Sequence, residues 1–243
     1  GISAQVGDIA KSDNNYKVGY TITYEGGKKG IPFWVWLLLA LLILGAAAFF
    51  FLSNKEEEKK PANVKQEKNL NARQEKWVYY SFEKNTIVEV ADPQNSLDWD
   101  IAFFAYYAKL NGGESGKGKA GVVKVGTDFS APVTLPKEGD YKQDTKGTMS
   151  YGNYPNLTQK EDTFSDYLSG GFDTDTGYVS LNPKNSSARG GKWPSVYAPT
   201  KFVYVIRTAK GAYAKFQVTD FYGEKGDANK LTFQYLLSED GKF

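Results

Sequence analysis

The 243-residue chain contains neither cysteine nor histidine. Without cysteine there are no disulfides, no thiolate metal sites and no cysteine nucleophile. Without histidine the chain lacks the commonest general base, the commonest metal ligand and the usual partner of a catalytic serine. These absences argue against hydrolase and metalloenzyme activity, and we predict that the protein is not an enzyme.

An excess of basic residues is also missing, because the formal net charge is only +2. Residues 1–76 carry 11 of the 30 Lys and Arg residues and 8 of the 28 Asp and Glu residues, which leaves 19 and 20 for the remainder. Nucleic-acid-binding domains usually present a basic patch or stripe. The near-neutral larger part of the chain therefore predicts no nucleic-acid partner.

One long apolar run spans residues 33–52, which are 20 residues without a charge. A helix of this length crosses a hydrocarbon core of about 30 Å. Trp34 and Trp36 lie at one end, where aromatic residues belong in a membrane helix. A core helix would be amphipathic, and a signal peptide would have a shorter run. We therefore predict a single transmembrane helix over 33–52, although the flanking lysines mildly favour a cytoplasmic C-terminal side.

The sequence on either side of this run differs in character. Residues 1–32 form a polar segment, in which the alternating run Tyr16–Tyr24 is typical of one strand. Residues 53–76 are charged and poor in apolar residues, which predicts a solvated stalk. Residues 77–243 are predicted to form one all-β domain with long loops.

Short runs of β-branched and aromatic residues, broken by turn residues, support the β prediction. The runs are Trp77–Phe82, Thr86–Val90, Trp99–Leu110, Gly121–Val125, Phe202–Arg207, Ala212–Val218 and Leu231–Leu237. The connection from Thr208 to Gly211 suits a hairpin. Residues 126–198 are rich in Gly, Asn, Asp, Tyr and Pro, which predicts long loops there, with a short helix around Phe164–Leu168.

Three segments in order resemble the HmuY family. They are Trp77–Phe82 (WVYYSF), Asp98–Phe103 (DWDIAF) and Asn111–Gly116 (NGGESG), and the late hairpin and the closing strand Leu231–Leu237 are similar too. The resemblance covers about residues 77–240. It implies an all-β protein of the Bacteroidota cell envelope, either a surface lipoprotein or a released haemophore. The resemblance also places residues 77–243 outside the cytoplasm, with a spanning helix as the anchor in place of the family's lipid-modified cysteine.

In the family, middle loops hold haem, and paired histidines or methionines grip its iron. This chain has no histidine and only one methionine, Met149, so such paired ligation is impossible. A thioether and a phenol are both known axial ligands of haem iron. Met149, as a metal ligand, and Tyr151, Tyr154 and Tyr178 are therefore the pocket candidates. Tyr167 and Tyr197 lie in the same loop region. Each methionine or tyrosine can equally serve ordinary packing.

The resulting hypothesis is a membrane-anchored envelope binding protein that captures haem or a related flat porphyrin. The alternative is a family scaffold without haem binding that recognises a protein or glycan partner through the same loops. Asp98 and Asp100 flank Trp99 and could form a catalytic carboxylate pair, but the resemblance favours a structural role beside a buried tryptophan.

Overall fold

A computed structural model describes residues 2–6, 20–24, 32–38, 40–42, 63–73, 75–153, 155–182 and 196–243. The chain divides into two compact units, residues 1–59 and residues 60–243. The candidate site lies in the second unit.

The first unit contains a two-stranded antiparallel sheet of β1 (Ile2–Val6) and β2 (Tyr20–Tyr24). The second strand falls within the alternating run that predicted one. Residues 33–38 and 40–42 are helical. Within the described ranges, no helix is long and apolar enough to cross a membrane. Residues 39 and 43–52 of the predicted span lie outside those ranges, so the anchor stays a prediction without support from the structure.

The strands of the second unit follow in chain order. They are β3 (Lys65–Asn71), β4 (Val78–Ser81), β5 (Thr86–Val88), β6 (Ile101–Phe104), β7 (Tyr107–Leu110), β8 (Gly121–Gly126), β9 (Thr145–Asn153), β10 (Asn156–Phe164), β11 (Gly171–Phe172), β12 (Val179–Asn182), β13 (Val196–Pro199), β14 (Val203–Arg207), β15 (Tyr213–Tyr222) and β16 (Ala228–Ser238). Short 3-10 helices cover Gly113–Ser115 and Glu138–Asp140. The β-rich prediction is confirmed for this unit.

A five-stranded antiparallel sheet has the order β3-β16-β15-β14-β8. In β16 buried and partly exposed side chains alternate, and Leu231, Phe233 and Tyr235 all point into the core. β14 is instead buried at four consecutive residues, Val203 to Ile206. The hairpin predicted through residues 208–211 is confirmed as β14–β15. Gly211 has a positive φ of 101°, a conformation that favours glycine in this tight connection.

A second sheet, of order β5-β4-β6-β7, packs against the first through aromatic rings. The centroids of Tyr80 and Phe233 are 5.1 Å apart, and those of Phe103 and Phe216 are 6.5 Å apart. The Tyr235 hydroxyl, which this packing removes from water, donates to the Phe82 carbonyl at 2.9 Å. This pairing avoids the cost of a buried, unbonded hydroxyl.

Three predictions about local structure are wrong. Lys65–Asn71 lies in the predicted stalk but forms β3, which buries Leu70 against β16, so the domain begins before Trp77. The predicted helix around Phe164–Leu168 is a turn, in which the Ser165 hydroxyl accepts the Leu168 N–H at 3.2 Å. Residues 145–164, predicted as loop, form the regular β9–β10 hairpin.

The structural role of Asp100 is confirmed. Its buried carboxylate accepts the N–H groups of Phe82 at 2.8 Å and of Ala209 at 3.0 Å. Burial raises the pKa of Asp100, and these two backbone bonds oppose the rise. Asp98 is exposed and pairs with Lys84 at 3.1 Å, so the two carboxylates do not form a shared site.

Candidate functional site

The candidate site is built on the β9–β10 hairpin and on the residues that pack against it. Its strands pair from Thr145 with Phe164 up to Asn153 with Asn156, and they form a sheet of their own. Residues 156–161 of β10 are exposed, and Leu157 near the tip is 47% exposed. The hairpin therefore extends as an arm whose β10 strand is largely exposed.

The face of this hairpin that turns inward carries two of the predicted site residues. Met149 is only 1% exposed and packs in a small cluster with Phe104, Tyr107 and Phe164. Tyr151 is half-buried, and its ring lies edge-on to Phe104 with centroids 4.9 Å apart. The alternation of side chains along β9 places both residues on the same face of the hairpin.

The free edge of β9 is attached to the scaffold by two tyrosines that follow each other at the β6–β7 turn. Ala105 in this turn has a positive φ of 51°. The Ser150 N–H donates to the Tyr107 hydroxyl at 2.7 Å, and the Tyr106 hydroxyl donates to the Ser150 carbonyl. Burial is the main reason why the pKa of Tyr106 is raised far above its ordinary value. The phenol therefore stays protonated and remains a donor at neutral pH.

The Tyr106 ring also reaches the small sheet β11-β12-β13. It stacks on Tyr197 of β13 with centroids 5.6 Å apart and an interplanar angle of 26°. Tyr106, Tyr151 and Tyr197 are all partly exposed, and we call them the tyrosine surface. Phe172 of β11 is 64% exposed. Partly exposed rings of this kind suit a flat apolar ligand.

The opposite edge of the hairpin is held by charge. Asp162 of β10 lies 2.8 Å from the Lys109 ammonium and also accepts the Trp77 indole N–H at 3.2 Å. Lys160 adds a third bond to this carboxylate at 2.9 Å. Burial alone would raise the pKa of Asp162, but the bonds from Lys109 and Lys160 outweigh it and hold the pKa well below the usual range. Burial lowers the pKa of Lys109, against the attraction of Asp162.

The structure brings only part of the predicted site together. Met149 and Tyr151 are neighbours on the hairpin, whereas Tyr154 lies outside the described residues. Tyr178 is fully buried in the main core, where its hydroxyl donates to the Ala105 carbonyl at 3.0 Å. Burial raises its pKa well above the ordinary value, so this phenol belongs to the framework and does not face a ligand.

Sequence reasoning missed the residues that hold the hairpin: Trp77, Tyr106, Tyr107, Lys109 and Asp162. In the sequence Trp99–Leu110 is one longer apolar run, which hid the turn at Ala105 and the tyrosine pair after it. The only available signal was the adjacent pair Tyr106–Tyr107 within an apolar run. Lys109 and Asp162 are 53 positions apart, and no local pattern joins them.

A family model for HmuY protein matches residues 73–235. The chain belongs to the HmuY family. No curated protein matches it.

Solved structures of HmuY-like proteins share the fold. One is a candidate HmuY-like heme-binding protein from Bacteroides vulgatus ATCC 8482, with 18% identity and a TM-score of 0.52 over 72% of this chain and 91% of the other. Another is apo PinO from Porphyromonas gingivitis, with 16% identity and a TM-score of 0.52 over 73% and 98%. A lipoprotein candidate from Bacteroides fragilis NCTC 9343 has 16% identity and a TM-score of 0.51 over 73% and 91%. At these identities the likeness concerns the fold.

Among the described residues beside the hairpin, few side chains could bind haem iron. The Met149 thioether is enclosed by Phe104, Tyr107 and Phe164 and reaches a ligand only if the hairpin lifts. The Tyr151 hydroxyl makes no hydrogen bond to any described residue, and its ring is partly exposed. The side chains therefore fit a porphyrin that lies on the tyrosine surface with at most one phenolic donor, and they do not fit paired ligation.

Proposed function

We propose that this HmuY-family chain is a binding protein of the cell envelope that captures haem or a related porphyrin. The observation that carries the proposal is the tyrosine surface, whose partly exposed rings lie beside the inward face of an arm-like hairpin. Burial of a flat apolar ring against these side chains would supply most of the affinity, at roughly 25 cal/mol per Å² of apolar area.

Each candidate residue has a distinct role in this proposal. Tyr106 and Tyr197 bind one face of the ring system by stacking and dispersion. Tyr151 orients the ligand and offers its phenol to the metal, while Met149 keeps the hairpin packed on Phe104. When bound, haem would contribute only its own iron chemistry, and the protein would supply position and exclusion of water.

The cellular placement belongs to the same proposal. Residues 33–52 would anchor the chain in a membrane, with the HmuY-type domain outside the cytoplasm. The support is the uncharged run in the sequence together with the lipoprotein candidate among the structural neighbours. Protease accessibility of the domain in intact spheroplasts tests this placement, and a fully protected domain would contradict it.

Titration of the chain with hemin tests the binding itself. We expect a shift of the Soret band that saturates at one hemin per chain in the wild type. Tyr151→Phe should lose the part of the spectrum that comes from phenolate ligation, whereas Met149→Leu, which conserves volume, should keep it. Tyr213→Phe is the matched control, because Tyr213 is also partly exposed but lies on β15 near Tyr141. The absence of a shift in the wild type, with either ferric or ferrous iron, would refute the proposal.

The second candidate function is a HmuY-type scaffold that recognises a protein or glycan without haem. The sparse iron donors favour it: the chain lacks histidine, and its one methionine is enclosed. A wild-type chain that ignores hemin yet retains a partner through the exposed hairpin would select this alternative.

A further inference from the structure

A cleft of about 620 Å³ lies at the β10 edge of the hairpin, on the side away from Tyr106 and Tyr107. It is lined by Tyr79 of β4, by Lys146 of β9 and by residues 161–163 of β10. The loop Asp92–Gln94 and the 3-10 helix Gly113–Ser115 complete the lining. This volume is in the range of small-molecule sites.

The lining is polar, and its ionic groups largely neutralise each other. Lys109 is paired with Asp162 at 2.8 Å, and Lys146 lies 3.8 Å from Glu114. The carboxylates of Asp92 and Glu161 bring the lining to a surplus of two negative charges. This surplus of negative charge disfavours an anion. Among the described residues that line the cleft, Tyr79 is the one aromatic side chain, which offers too little apolar surface for a porphyrin. A neutral ligand with many hydroxyl groups can donate to the carboxylates and accept from the ammonium groups.

The walls of the cleft are fixed in place before any ligand arrives. The Trp99 indole N–H donates to the Pro93 carbonyl at 2.8 Å, and the Lys117 N–H donates to the Gln94 carbonyl at 3.0 Å. These bonds immobilise the backbone of the loop. Gln94 lines the cleft and is exposed, and its side-chain amide makes no hydrogen bond to the described residues, so its donors and acceptor are available to a ligand.

Tyr79 adds an aromatic side chain with a polar end. Its ring packs edge-on against Trp99 with centroids 5.0 Å apart. Burial, with a smaller contribution from the Asp162 charge, raises the pKa of Tyr79 to about 12. The hydroxyl is therefore protonated at neutral pH, and it can donate and accept. An aromatic side chain combined with carboxylates and a free amide is a set of groups that matches the C–H and O–H surfaces of a sugar.

We propose that this cleft is a saccharide-binding site, separate from the tyrosine surface on the other edge of the hairpin. Gln94 and Glu161 bond the sugar hydroxyls, Lys146 donates from the rim, and Tyr79 contacts the ring. The Lys109–Asp162 pair holds the β10 wall of the cleft and makes no contact with the sugar. This site stands on its own lining and does not require haem binding.

Saturation-transfer difference NMR on the full chain tests the proposal with defined probes. The probes are maltose, cellobiose and N,N′-diacetylchitobiose, with spermidine and citrate as cationic and anionic comparators. We expect transfer to at least one saccharide and none to citrate. Glu161→Gln replaces a charged acceptor with a neutral amide, and Gln94→Ala removes a hydrogen-bonding partner, so each should weaken binding of that saccharide by about tenfold.

Two matched variants keep this test specific. Glu83→Gln makes the same chemical change at an exposed glutamate that pairs with Lys210 outside the cleft, and it should bind the saccharide like the wild type. Tyr151→Phe should leave saccharide binding unchanged, and Glu161→Gln should leave the hemin titration unchanged. The experiment can therefore refute the saccharide site without refuting haem capture, and the reverse. Transfer to none of the three saccharides overturns the site. Binding of spermidine alone, lost in Glu161→Gln, overturns the assigned ligand class.

Discussion

The two-sheet core and the β9–β10 hairpin are stabilised in different ways. The core is an aromatic interior in which Phe82, Phe103, Phe216 and Phe233 are all fully buried and in mutual ring contact. The hairpin has one small apolar cluster, and the rest of its attachment is the Lys109–Asp162 pair near its base and the hydrogen bonds of Ser150 farther along β9. Buried aromatic packing therefore stabilises the core, whereas one small cluster and a few polar bonds hold the hairpin that carries the proposed ligand residues.

The largest expected effect comes from truncating the core. Phe233→Ala removes a ring that contacts Tyr80, Phe103 and Phe216, and it should lower the free energy of unfolding by about 4 kcal/mol. Urea denaturation measures the change. Leu157→Ala on the exposed hairpin tip should stay within about 0.5 kcal/mol of the wild type. Similar losses for both variants would contradict the division into core and arm.

A smaller loss is expected at the charged base of the hairpin. Asp162→Ala leaves the Lys109 ammonium buried without its partner, which should cost about 3 kcal/mol locally. Hydrogen exchange should then accelerate in β9 and β10 while the amides of β14–β16 keep their protection. The double variant Lys109→Met/Asp162→Leu should recover most of that protection, because it removes the unpaired charge. Uniform acceleration through both sheets would show that the base of the hairpin is part of the core.

Asp144, at the start of the hairpin, should make the stability of the protein depend on pH. It precedes β9, its carboxylate accepts the Leu110 N–H at 2.8 Å, and burial raises its pKa to about 7. The folded state therefore keeps this proton between about pH 4 and pH 7, where the unfolded state has lost it. Stability should fall as pH rises through this window, by up to about 1.4 kcal/mol per pH unit.

The matched variant for this titration is Asp144→Asn. It keeps an acceptor for Leu110 without a charge, so its unfolding free energy should lose that slope between pH 4 and pH 7. Urea melts of both proteins across the window give the difference directly. Identical slopes would mean that Asp144 does not titrate in this range in the folded protein.

The smallest effect concerns the tyrosine that joins the arm to the small sheet. Tyr106→Phe keeps the ring stacked on Tyr197 but removes the hydrogen bond to the Ser150 carbonyl. We expect a loss of about 1 kcal/mol, seen as faster exchange in β9 alone. Tyr213→Phe, on β15, should leave the exchange of β9 unchanged.

The sequence could predict the core better than the arm, and the reason is physical. The β14–β15 hairpin was predictable because two runs of β-branched and aromatic residues flank the short connection from Thr208 to Gly211. The strand β3 was missed because only Leu70 of its seven residues is fully buried, which leaves almost no periodic signal. The β10 strand was missed for the same reason, since residues 156–161 are exposed on both faces.

The candidate site was only half predictable. Met149 and Tyr151 were identified through the family resemblance, and the fold brings them to one face. Tyr178 occupies the same stretch of sequence but lies in the core, because residues 165–178 run back from the hairpin to the interior. The Lys109–Asp162 pair and the cleft beside it depend on contacts between distant strands, which one sequence does not encode in any local pattern.

Hydrogen exchange of the full chain with and without hemin tests the central claim most directly. The account predicts that hemin slows exchange in residues 145–164 and 196–199, on the arm and the strand that carries Tyr197, and leaves the five-stranded sheet unchanged. No slowing in these residues, or slowing confined to the five-stranded sheet, would contradict the claim that the hairpin is the ligand-capturing arm of a rigid HmuY-type scaffold.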